Sequence, residues 1–124
     1  MHTITTDLAT GIIEVDASGF WTIEHVEHFL RDLEHEGRRV MATGKRHVLL
    51  CNFSKSAIQP QEVIAMLQRV AVSIPLKSRK VALYTGGKLA RLQVKRIASV
   101  RDGMAVFDDR ESAVAWMLEH KPRN

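Results

Sequence analysis

The sequence predicts an α/β fold, one domain over residues 1–124 with elements in the order β-β-α-β-α-β-α-β-α. Three observations predict it. Apolar runs of strand length alternate with longer segments of helical period, and glycine, proline and capping residues punctuate the junctions. Composition is that of an ordinary globular chain, 45% hydrophobic and 26% charged. Strands alternating with helices of this length imply a mostly parallel sheet with crossover helices, because parallel neighbours cannot be joined by tight turns. A chain this long buries roughly two thirds of its unfolded surface and needs neither metal nor disulfide to fold.

Residues 2–17 read as a hairpin of two short strands, with Ile4 and Leu8 flanking a polar stretch and Ile12-Ile13-Glu14-Val15 following the turn Thr10-Gly11. After Ser18-Gly19, Thr22 caps a first helix with Ile23, Val26, Phe29, Leu30 and Leu33 at helical spacing, and Gly37 or Gly44 limits its end. Residues 46–53 form a nearly continuous apolar run, the mark of a central strand covered on both faces. A second helix follows, with Pro60 in its first turn, Val63, Ile64, Met66, Leu67, Val70 and Ile74 on its apolar face, and Pro75 as its stop.

Residues 80–85 form the next strand, which Gly86-Gly87 turns into a third helix carrying Leu89, Leu92, Ile97 and Val100 inward. Ala105-Val106-Phe107 is a last short strand. Asp108 is expected to cap the final helix, with Glu111 as its reciprocal partner, Val114, Met117 and Leu118 facing inward and Trp116 nearby.

Charge is distributed unevenly. Between Glu62 and Asp102 there is no acidic residue, and residues 63–101 carry nine cations: Arg69, Lys77, Arg79, Lys80, Lys88, Arg91, Lys95, Arg96 and Arg101. Against an overall +4 this leaves −5 for the rest of the chain. The first helix holds much of the acid, in Glu24, Glu27, Asp32, Glu34 and Glu36, so two copies with complementary regions are expected to form a homodimer.

The single cysteine, Cys51, excludes an intrachain disulfide and is expected to be a buried strand thiol in a reducing compartment. Residues 1–7 lack the basic and apolar regions of a signal peptide, and no stretch approaches the roughly 20 apolar residues of a membrane span. A cytoplasmic location is the expectation.

The strongest candidate for chemistry is Thr85-Gly86-Gly87-Lys88, where a strand runs into a helix whose free N–H groups and positive dipole end suit an anion. It is neither a Walker A loop nor a dinucleotide fingerprint, and a plain strand-to-helix turn is the simpler explanation. Lys88, Arg91, Lys95 and Ser99 then form one polar stripe on the third helix. Such a stripe suits an acidic protein or an anionic ligand, or is simply a solvated face. Nucleic acid is not expected, because Tyr84 is the only aromatic in the basic interval.

His25, His28, Asp32 and His35 share one side of the first helix and are the best metal candidates, yet they lack convergent further ligands; no metal and no cofactor is expected. No nucleophile shows motif spacing to a base and a carboxylate, His47 stands alone at a strand start, and Asp108-Asp109 reads as a helix cap. A non-enzymatic binding role is the expectation.

The entry Gly19-Phe20-Trp21-Thr22, the central strand Val48 to Phe53 and the close Val106-Phe107-Asp108-Asp109 through Ala115-Trp116-Met117-Leu118, in this order, resemble the STAS domain, in particular its SpoIIAA-like branch, over nearly the whole chain. The resemblance implies a non-enzymatic regulatory module, switched in the anti-sigma-antagonist type by a phosphoserine after the central strand. Here the matching window, Ile58-Gln59-Pro60-Gln61-Glu62, has no serine or aspartate, and Ser54 and Ser56 lie several residues early, so no such switch is expected. SpoIIAA-like proteins are also similar to Sec14-type lipid-binding domains. That similarity implies, as the alternative role, a carrier of a lipid or small apolar ligand between sheet and helices, with Trp21, Phe29 and Met66 as lining or core.

Overall fold

The computed structural model describes residues 1–73 and 78–119, the side chain of Ser73 excepted. It contains β1 His2–Asp7, β2 Ile12–Gly19, α1 Ile23–Met41, β3 Val48–Ser56, α2 Gln61–Ser73, β4 Val81–Tyr84, α3 Lys88–Ala98, β5 Met104–Phe107 and α4 Arg110–Met117, the expected order. The strands lie side by side as β1-β2-β3-β4-β5, with β1 antiparallel to β2 and each later neighbour parallel. Gly11, at φ 80°, makes the hairpin turn.

This order decides where the helices go. Right-handed crossovers that each step one strand in the same direction put their helices on one face. Accordingly α1, α2 and α3 pack through Val26, Phe29, Leu33, Val63, Val94 and Ala98 against Val15, Leu49, Cys51, Val81 and Leu83. α4 has no further strand to reach and folds onto the other face, where Ala113 and Met117 meet Val48, Leu50, Ala82 and Tyr84. Alternate residues of β3 therefore serve opposite layers, which is why its apolar run is continuous.

Thr22 caps α1 as expected, its Oγ1 accepting from the His25 N–H at 3.1 Å. The helix runs through Gly37, which is buried, and ends at Ala42 before Gly44 at φ 85°, so Gly44 is the stop. The carbonyl of Pro60 accepts the first bonds of α2, from the N–H groups of Val63 and Ile64. The expected positions of Ile74 and Pro75 fall outside the described residues, as does Lys77.

Three expectations are corrected. α3 buries Val94, Ile97 and Ala98, whereas Leu89 and Leu92, expected to face inward, stand 68% and 59% exposed. At about 100° per residue Leu92 lies nearly opposite the buried triplet, so one helix cannot bury both sets. The cap of α4 is Asp109, whose Oδ1 accepts from the Ser112 N–H at 2.8 Å. Glu111 then falls one position short of a capping-box partner. Asp108 instead forms an ion pair with Arg91. Leu118, expected inside, is exposed at the helix end.

Candidate functional site

Three places concentrate unsatisfied or exposed chemistry. The first is the start of α3. Gly87 is its N-cap at φ −94°, without a side-chain cap, and Gly86 is open to solvent. Neither glycine adopts positive φ, and a Cβ at Gly86 would meet nothing within 4 Å, so the turn itself does not require them. Lys88 and Lys95 are exposed and, among the described residues, have no acidic partner. Arg91 differs: its pairing with Asp108 commits it to holding α3 against the end of β5. The predicted set Gly86, Gly87, Lys88, Arg91 and Lys95 is thus contiguous, but one of its three cations is spent within the fold.

Around this helix end stand apolar side chains that the sequence reading placed elsewhere or passed over. Leu89 and Leu92 share the outer face of α3 with Lys88 and Lys95. Ile58 and Phe20, also exposed, follow β3 and β2 at the same C-terminal end of the parallel strands. Gln59 ties these loops together. Its Oε1 accepts from the Trp21 N–H at 2.7 Å, its Nε2 donates to the Gly19 carbonyl at 2.8 Å, and its main chain exchanges two bonds with the Gln93 side chain of α3.

The second place is a cavity of about 80 Å³ between the sheet and the three-helix layer. Trp21 and Phe29 line it, as the alternative role requires; Met66 packs against the core but is not among the lining residues. Cys51 is in its wall, its thiol pushed up to about 12 by burial and so inert as a nucleophile. Arg101 and Ser78 supply polar groups at the end nearest the starts of β4 and β5.

The third place is a histidine cluster centred on His2, which sequence reading missed. The inward alternation of β1 brings His2 beneath α1, packed edge-on against Phe29 at 5.2 Å. Its Nε2 lies 2.8 Å from Asp32 Oδ2 and its Nδ1 lies 2.9 Å from His25 Nε2. His28 reaches Asp32 at 3.6 Å, while His35 lies apart beside Glu36. Strand period applied to residues 2, 4 and 6 is the signal that could have found His2. Burial, then the nearby chain terminus and neighbouring histidines, hold the His25 imidazole below its usual range. Among the described residues no three His, Cys, Asp or Glu are placed to hold a metal ion.

His47 is also not solitary: its Nδ1 lies 2.7 Å from Ser78 Oγ, both residues buried. Among the described residues no carboxylate bonds to the ring, so the pair lacks the third member that orients a catalytic base. Ser56 points a buried hydroxyl into the fold and Ser54 is exposed at the strand end; neither begins α2. Among the described residues no helix is long and apolar enough to cross a membrane.

No family model matches the chain, and no curated protein matches it by sequence. Its fold is similar to that of an uncharacterised protein of the DUF3478 family from Shewanella loihica PV-4, whose crystal structure at 2.25 Å is described as SpoIIAA-like. The two share 18% identity and superpose with a TM-score of 0.66, covering 94% of this chain and 91% of that one. A superposition over nearly all of both chains shows the fold: the chain has a SpoIIAA-like fold.

Proposed function

We propose that the protein is a non-catalytic binding domain that docks an acidic protein on the outer face of α3. One observation carries this reading: Leu89 and Leu92, two large apolar side chains, are exposed on a single helix face beside Lys88 and Lys95, which have no acidic partner among the described residues. Apolar anchors surrounded by cations fit a partner that brings its own apolar residues within an acidic rim. The strand order supports a surface rather than a cleft, because a sheet that never reverses direction opens no crevice at a switch point.

The test uses synthetic acidic peptides with leucine anchors, titrated against the full chain at two salt concentrations. Binding should weaken as salt rises. Lys88→Glu with Lys95→Glu should lower affinity at least tenfold, and Leu92→Ser should lower it at both salts. Equal binding by the wild-type chain and the charge-reversed variant would remove α3 as the docking face.

A further inference from the structure

The internal cavity carries a separate inference, independent of the α3 face. Its walls are apolar apart from the Trp21 indole, the Cys51 thiol, Ser78 and Arg101. Ser78 Oγ is engaged with His47, and the thiol stays protonated. The remaining two polar groups are both donors: Trp21 Nε1 and Arg101 Nε are shielded from solvent and, among the described residues, have no acceptor. Trp21 itself is only 4% exposed. Buried donors of this kind are rare, since leaving one unmet forfeits a hydrogen bond with no water to replace it.

The fold uses only part of Arg101. One terminal nitrogen donates to the Ser78 carbonyl at 3.1 Å, which fixes the guanidinium plane. Among the described residues it has no carboxylate partner. Burial lowers its pKa. A guanidinium edge with a free Nε matches the two oxygens of a carboxylate.

The size of the cavity limits what such a carboxylate can carry. On the sheet side it is walled by Leu49, Cys51 and Phe53 of β3 and Val81 and Leu83 of β4, with Val15 of β2 and Met104 of β5 beside them. A cavity of about 150 Å³ accepts the six carbons of benzene; one of about 80 Å³ suits roughly three. We infer that this cavity binds a short unbranched aliphatic carboxylate, its chain against β3 and β4 and its head group on the Nε edge of Arg101.

The experiment titrates the full chain with propionate, butyrate and octanoate, and with butyramide as the neutral counterpart, by calorimetry and by Trp21 emission in a Trp116→Phe background. Propionate or butyrate should bind saturably and shift that emission, and butyrate should bind at least tenfold more tightly than butyramide. Arg101→Gln should bring the acid down to the amide's affinity, and Ala71→Leu, which fills the cavity, should remove both. Absence of saturable binding by every acid, or parity of butyrate and butyramide in the wild-type chain, overturns the inference. Undiminished acid binding by a folded Arg101→Gln chain overturns it too. The wild-type comparison decides even where a variant fails to fold.

Discussion

The imidazole of His47 lies against the α-carbon of Gly37: a Cβ at Gly37 would come 3.1 Å from His47 Nε2 and 3.3 Å from Cδ2. α1 can therefore pass close to the start of β3 only because it has no side chain there. In an ordinary helix interior, glycine to alanine stabilises by about 1 kcal/mol. Here the ring cannot retreat, being buried and tied to Ser78. Gly37→Ala is expected to destabilise by about 1–3 kcal/mol through overpacking, read from urea denaturation. A Gly37→Ala, His47→Ala pair should recover part of that loss, whereas additive losses would show that the two residues do not meet.

The same burial makes His47 a source of acid sensitivity. Desolvation, reinforced by Arg46, holds its pKa below the ordinary 6.5. The unfolded chain therefore takes up a proton at a higher pH than the folded chain. Its contribution to stability is whole above pH 6.5 and is lost as pH falls from there toward the lowered folded value. His47→Gln should flatten the dependence of the denaturation midpoint on pH between roughly 7 and 5. An unchanged slope would assign the acid sensitivity to other groups, with the His25 cluster next in line.

Gln59 holds the C-terminal end of the sheet together, and its removal has a definite cost. Its side chain accepts from the Trp21 N–H at 2.7 Å and donates to the carbonyls of Gly19 and Ala57 at 2.8 and 2.9 Å. Gln59→Ala leaves the Trp21 amide without its acceptor at the entry to α1, a loss of about 1–3 kcal/mol. Hydrogen exchange should show that amide exchanging faster while amides in β3 keep their protection. Equal protection at Trp21 in both chains would mean that water replaces the glutamine without cost.

What the sequence revealed and what it hid follow from the range of the interactions. The hairpin turn at Gly11, the Thr22 cap and the continuous run of β3 are local signals, legible because each is decided within a few residues. The choice between Asp108 and Asp109 as cap was not local: Arg91, seventeen positions earlier in the chain, claims Asp108. Likewise the inward face of α3 depends on how that helix meets the sheet, and both Leu89-Leu92 and Val94-Ile97 have helical spacing. Of the candidate site, Lys88 and Lys95 were visible as a stripe. The convergence of Trp21 and Arg101 on one cavity, from eighty positions apart, was not, because it is made by the crossovers.

The two faces of α3 give the sharpest contrast between packing and surface. Ile97 is 5% exposed in the main core, so Ile97→Ala removes buried methylenes and leaves a void, at a cost of about 2–5 kcal/mol. Leu89 and Leu92 have the same hydrophobic character but project into solvent, and truncating either to alanine should change stability by no more than about 0.5 kcal/mol. Thermal denaturation of the three single variants tests this directly. A loss at Leu92 comparable to that at Ile97 would mean that its face is already covered in solution, by a second copy of the chain. That second copy would in turn make the midpoint depend on protein concentration. Independence of concentration together with a silent Leu92→Ala would leave the face free for another partner.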